Sequence, residues 1–214
     1  LIGKEVTNQN DIDQLTDQLQ KTLHIFGRYG ISIYAISGVE IALWDAIGKH
    51  KNLPIYKLLG ETKKTEFKAY ASLFRYSDEK LVEKKCKDAL DCGFKIIKLH
   101  EIKDNCIKAA RNFLGQHIDL MTDVNCAWTY EEILEKKNFF DEVKLLWVEE
   151  PIFPPEDFKK LSEIKKNCNV SIAAGENACT HWEFQKMIDA KAVDFSQPSV
   201  IKVGGISEMI KVIH

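Results

Sequence analysis

IDLMTDVNCAWTYEEILEKKNFFDEVKLLWVEEPIFPPEDFKKLSEIKKNCNVSIAAGE, residues 118–176, holds three short apolar runs, IDLMTD, KLLWVEE and NVSIAAGE, that lead into Asp123, Glu149 and Glu176. The carboxylates stand 26 and 27 residues apart, an interval that accommodates one strand plus one helix. Repeated βα units lay parallel strands side by side, ~4.8 Å apart, so side chains at the C-terminal ends of three successive strands converge. Like charges gathered in this way raise one another's pKa values. A divalent cation relieves that repulsion, and Mg²⁺ in particular takes a few carboxylate oxygens while keeping waters that a substrate can replace.

The pattern extends in both directions. Upstream lie an apolar run at 67–72 (FKAYAS), a helical stretch near 79–92, a run at 95–100 (KIIKLH) and a helical stretch near 104–115. Thr129 followed by Glu132 predicts a capping box, and helices are expected from about Pro155 and near 181–190, with a sixth strand through VDFSQPS at 193–199. Strands alternating with helices at this period predict a parallel α/β barrel. Residues 1–60 read differently, as helices in DIDQLTDQLQKTL and AISGVEIALWDAIGKHK followed by LPIYKLLG. A boundary is therefore expected within Gly60–Thr65, dividing a helical part of a capping domain, 1–62, from an incomplete barrel domain, 63–214. Both chain ends read as internal to a longer protein. Six parallel strands alone leave two unpaired edges, so further strands or a partner are expected to be needed for full stability.

Composition narrows the class. The chain of 214 residues is 45% hydrophobic and 29% charged with net charge −2, values of an ordinary globular protein with ample core. Lysines outnumber arginines 27 to 3 and are scattered, which argues against a nucleic-acid-binding stripe. Six cysteines without a CxxC pair predict reduced thiols and a cytoplasmic location. No unbroken run approaches the ~18 apolar residues of a membrane span, and no secretory leader is expected.

IALWDAIGKHKNLPIYKLLG (41–60), GFKIIKLH (93–100), MTDVNCAW (121–128), WVEEP (147–151), AAGEN (173–177) and QPSVIKVGG (197–205) together resemble the enolase superfamily, in its mandelate racemase / muconate lactonizing enzyme family. Each motif is weak alone; six in order at βα spacing are specific. The resemblance implies a (β/α)7β TIM-like barrel with an α+β capping domain, here truncated at both ends. It also implies Mg²⁺ as cofactor and removal of the proton alpha to a carboxylate to give an enediolate. On the matching positions it implies metal ligands at Asp123, Glu149 and Glu176, with Asn125, Glu150 and Asn177 orienting them. A glutamate in AAGEN favours the racemase-like branch. Lys98 and His100, one residue apart on a strand, point to the same face. Relatives commonly carry a second lysine as base where His100 stands; an imidazole takes protons near neutrality, so His100 is expected as base or as a hydrogen-bond donor to substrate. Lys98 is expected to neutralise the substrate carboxylate.

Ser199 occupies the position where racemase-like relatives place an aspartate, so the usual His-Asp pair is broken. Racemisation needs a base on each face, whereas syn elimination needs one. Dehydration of an acid sugar is therefore the favoured reaction, with racemisation, epimerisation or cycloisomerisation as the alternative, and a diverged non-catalytic barrel as the alternative from another class. A phosphate-binding barrel fits poorly, for want of a glycine-rich phosphate loop. Small carboxylate substrates and a homo-oligomer are the expected partners, with neither nucleic acid nor membrane. Lys202, Trp128, Cys126 and the Trp44–Asp45 stretch are expected to be structural, and Cys179 and His181 to lie in a loop or cap.

Overall fold

A computed structural model describes residues 2–60, 64 and 66–214. The chain forms two compact units: Leu1–Phe67 with Glu176–Gln185 and Pro198–His214, and Lys68–Gly175 with Lys186–Gln197. The boundary expected within Gly60–Thr65 falls largely on residues outside those described.

The second unit contains one parallel sheet of six strands in the order β1 to β6: Ala71–Ser72, Ile96–Leu99, Asp119–Asp123, Val148–Glu149, Ile172–Ala174 and Phe195–Ser196. Sequential parallel neighbours require a crossover after each strand. All five connections carry helices: α4 (Glu79–Asp91), α5 (Asp104–Leu114), α6 (Tyr130–Glu135) with α7 (Lys137–Val143), α8 (Phe158–Asn167) and α9 (His181–Asp189). The α/β barrel pattern read from the chain is thus present over six strands. The capping box also forms, since Thr129 Oγ1 accepts from the Glu132 amide at 3.1 Å and the Glu132 carboxylate accepts from the Thr129 amide at 2.7 Å. Asp157, accepting from the Lys160 amide at 3.0 Å, starts α8 three residues later than the prolines suggest.

The sixth strand is shorter than expected. Its last ladder bond runs from the Gln197 amide to the Ala174 carbonyl at 3.0 Å, and Pro198, lacking an N–H, cannot continue it. Ser199 consequently lies beyond the strand, as the residue before α10 (Val200–Val203), and its side chain makes no cap.

The first unit is built on α1 (Gln9–Leu23), α2 (Ile31–Lys51), α3 (Ile55–Leu58), α10 and α11 (Ile206–Ile213). Ile12, Trp44 and Ile47 form one buried cluster with Leu43, Ile55, Leu58 and Ile206 packed on it; Ile33, Ile36 and Cys179 form another. Trp44 is therefore structural, as expected, while Asp45 faces solvent paired with Lys49. By length and composition α2 is apolar enough to cross a membrane, because its polar residues are few and interleaved and break every run without lowering the mean much. One of those polar residues, Glu40, is buried among hydrogen-bond donors of its own unit.

Candidate active site

Register explains which side chains meet. Lys98 pairs with Met121 and Asp123 pairs with Glu149. Side chains two apart share a face, so His100 comes level with Asp123 and Glu149 at the C-terminal end of the sheet, and Lys98 sits one step deeper. From there the lysine stem reaches upward: Nζ lies 2.7 Å from Glu149 Oε1 and 3.5 Å from Asp123 Oδ2. All three groups are buried, with Asp123 2% and Glu149 3% exposed.

Burial and mutual charge set the electrostatics. Desolvation, then the charge of Glu149, push Asp123 above the usual carboxylate range, against the Asn125 amide, Lys98 and His100. Glu149 feels the same desolvation but ends below its ordinary value, because hydrogen bonds from Lys98, Gln197 and Trp147 favour its anion. Burial pulls Lys98 down, yet its hydrogen bond to Glu149 and the two nearby carboxylates hold it above an ordinary lysine. A buried carboxylate pair holding one ammonium is a donor set that suits a hard cation. Asp123 and Glu149 thus fit the ion that the sequence implies. Among the described residues no group of three or more His, Cys, Asp or Glu is disposed to hold a metal ion, because within this unit the charge opposite the pair is Lys98 and not a third acid.

His100 is held firmly. Its Nδ1 meets the Leu73 carbonyl, and Nε2 faces Asp123 Oδ2 at 3.3 Å. A ring that donates from Nδ1 leaves the Nε2 lone pair free to accept a proton. The chain turns tightly after β3, where Asn125 and Cys126 have φ of 48° and 59°, and again after β4, where Glu150 has φ of 44°. Such backbone clusters at functional sites. Asn125 supports Asp123 through its backbone N–H, 2.9 Å from Oδ1, and not through its side chain, which instead accepts from Arg75 Nη2 at 3.1 Å. Glu150, 2% exposed, accepts from the Gly175 amide at 2.9 Å and so ties β4 to the segment just before Glu176. In the other unit Glu176 lies 4.0 Å from Lys202 Nζ, and the Asn177 carbonyl accepts from Cys179 Sγ at 3.7 Å.

Several contributors escaped sequence reasoning. Arg75 donates to the His100 carbonyl at 2.6 Å as well as to Asn125. Glu101, fully buried, accepts from the Tyr76 and Ser77 amides. Trp147 donates to Glu149 Oε2 at 3.2 Å. The period-2 rule could have found Trp147, two residues before Glu149; nothing local marks Arg75 or Glu101. Trp128 is structural as expected, buried and donating to the Ile102 carbonyl at 3.2 Å. His181 pairs with Glu208, with Nδ1 2.6 Å from Oε2, inside the first unit. The six cysteines are free thiols.

Residues 81–214 match the family described as Enolase C-terminal domain-like, and residues 1–60 the Mandelate racemase / muconate lactonizing enzyme N-terminal domain. The chain is 38% identical to arabinonate dehydratase of Saccharolobus solfataricus over 94% of its own length and 56% of that protein's. It is also similar to the 3,6-anhydro-D-galactonate cycloisomerase of Zobellia galactanivorans (TM-score 0.87, 30% identity, 94% of this chain and 57% of that one). A Bradyrhizobium enolase crystallised with magnesium and mandelic acid gives TM-score 0.86 at 30% identity over 94% of this chain and 57% of that one. The chain spans about half the length of the curated relatives it matches. Its paired domain matches and its parallel βα succession show that the chain belongs to the mandelate racemase / muconate lactonizing enzyme family of the enolase superfamily.

Proposed function

We propose that this chain carries the proton-abstracting half of a Mg²⁺-dependent acid-sugar dehydratase, with Asp123, Glu149 and Glu176 as ligands and His100 as base. The observation that carries the reading is the His100 geometry: Nε2 faces the carboxylate cluster while Nδ1 is engaged by the Leu73 carbonyl. When bound, the cation would supply positive charge against the negative charge that develops on the substrate carboxylate. Asp123 and Glu149 offer the oxygens, and Asn125 and Glu150 hold the loops that carry them.

Lys98, two residues before His100 and one step deeper on the same face, presents its ammonium to a substrate carboxylate. His100 Nε2 takes the proton alpha to that carboxylate, and the C–H electron pair moves onto the carboxylate. The pair then returns to form the C=C bond as the β C–O bond breaks. The proton held on His100 passes to the departing hydroxyl, so the products are an enol acid and water, and the histidine is restored. One base on one face suffices. Ser199, lying past the end of β6 with no charge to lend to an imidazole partner, favours this one-base elimination over racemisation.

Support for the substrate class comes from the relatives, of which arabinonate dehydratase and L-talarate/galactarate dehydratase act on acid sugars by name. The test is exchange of the alpha proton in deuterated water, followed by NMR on a panel of aldonic and aldaric acids with Mg²⁺ present. His100→Asn should abolish exchange, at least ~100-fold for a lost general base, while leaving Mg²⁺ binding intact. Exchange that persists in His100→Asn rejects the base assignment.

A further inference from the structure

Trp147 is the residue just before β4, two positions ahead of Glu149 in the extended chain. Its Nε1 donates to Glu149 Oε2 at 3.2 Å, while Oε1 accepts from Lys98 at 2.7 Å. The two oxygens of one carboxylate are therefore engaged from different sides. The indole is held by rings on both flanks: Phe195 at 4.8 Å between centroids, tilted 44°, and Tyr70 at 6.3 Å, edge-on at 83°. Tyr70 in turn lies 5.8 Å from the Lys98 ammonium. Tyr70 and Trp147 stand one residue before β1 and β4 and Phe195 lies in β6, so the indole is flanked by rings from three separate parts of the sheet.

We infer that Trp147 is a positioning residue that keeps Glu149 monodentate and thereby biases the site toward Mg²⁺ over Ca²⁺. The inference rests on the reading of Asp123 and Glu149 as metal ligands. The indole N–H already competes for Oε2, and Gln197 is a further donor to the same carboxylate, so a cation is steered to the single oxygen Oε1, which turns to it from Lys98. Mg²⁺ binds single oxygens in near-octahedral geometry, whereas Ca²⁺ has a larger shell and readily accepts a bidentate carboxylate. A group that blocks the second oxygen therefore costs Ca²⁺ more than Mg²⁺, and it also fixes the angle at which the first is offered.

The experiment is calorimetric titration of the whole chain, Trp147→Phe and Glu149→Gln with Mg²⁺ and, separately, Ca²⁺. Phenylalanine keeps a ring between Tyr70 and Phe195 and removes the N–H. Trp147→Phe should lose ~10-fold in Mg²⁺ affinity, the usual scale for a group that orients a ligand, and keep or gain Ca²⁺ affinity, so that the Mg²⁺ to Ca²⁺ preference falls. An equal loss for both ions, or an unchanged ratio, overturns the inference while a loss of binding in Glu149→Gln leaves the metal reading standing. Mg²⁺ binding that survives Glu149→Gln undiminished, or that is missing from the parent chain, overturns both. Trp147→Met serves the same comparison if circular dichroism shows that the phenylalanine variant fails to fold.

Discussion

Glu208 of α11 is a buried anion, 3% exposed, with His181 Nδ1 2.6 Å from one oxygen and Lys211 Nζ 2.6 Å from the other. Burial opposes its charge, but the hydrogen bonds from Lys211 and His181 prevail and hold it below its ordinary 4.5. A carboxylate whose pKa is lower folded than unfolded binds fewer protons in the native state. Its stabilisation is therefore complete above 4.5 and is lost as pH falls through the folded value. Glu208→Gln should lower stability at neutral pH by about 1.5–3 kcal/mol, the scale of hydrogen bonds to charged groups. It should also flatten the acid side of a stability-versus-pH curve from urea melts. A variant that melts like the parent at pH 7 and keeps the full acid slope would show that the pair contributes nothing. Asp123 behaves oppositely, since burial and Glu149 raise its pKa; its ionisation weakens the fold as pH rises, unless a cation is present to reverse the sign.

At the scale of elements, the turn between α10 and α11 depends on what α2 presents to it. Glu40 accepts from the Ile206 and Ser207 amides at 2.7 and 2.8 Å and from Trp44 Nε1 at 2.7 Å, and Ser37 Oγ accepts from the Gly204 amide at 3.0 Å. Orphan donors at the start of α11 are thus satisfied by a residue far away in the chain. Gly205 has φ of 102°, and a Cβ there would press into the Glu40 carboxylate. Gly205→Ala therefore meets backbone strain and a buried carboxyl group together. A loss of ~3 kcal/mol is expected, seen as a fall of roughly 6–12 °C in melting temperature for a chain of this size. A fall under ~2 °C would mean that α11 and Glu40 part easily. The sequence shows two adjacent glycines and a glutamate 165 positions earlier; no local rule connects them.

For the molecule as a whole, the proposed cation is a thermodynamic lever. An ion that binds only the folded state stabilises by ~2.7 kcal/mol at a hundred times its Kd. For a chain of this length that is a rise of about 5–10 °C in melting temperature. Mg²⁺ should produce that rise in the parent chain and fail to in Glu176→Gln, as read by differential scanning calorimetry. A rise that is equal in both would remove Glu176 from the ligand set; none in either would mean that this length of chain does not bind the ion. The sheet has β1 and β6 at its edges among the described strands, and parallel sheets gain stability from pairing on both sides. This is the physical ground for expecting a longer chain to be the more stable one.

The chain by itself determined the succession of strands and helices, because apolar runs, caps and breakers act over a few residues. It likewise placed Asp123, Glu149, Lys98 and His100 at one end of one sheet, because a period of two and a repeat of one βα unit leave little freedom. It did not show that the Lys98 ammonium lies between Asp123 and Glu149, that Asn125 works through its backbone, or that Trp147 engages one Glu149 oxygen. It also placed Ser199 in a strand that Pro198 had already ended. The tertiary structure decided these points, because each depends on the distance between atoms from separate strands and loops. Burial then made those distances count: without water to screen them, the charges and N–H groups around Glu149 set its ionisation and orientation together.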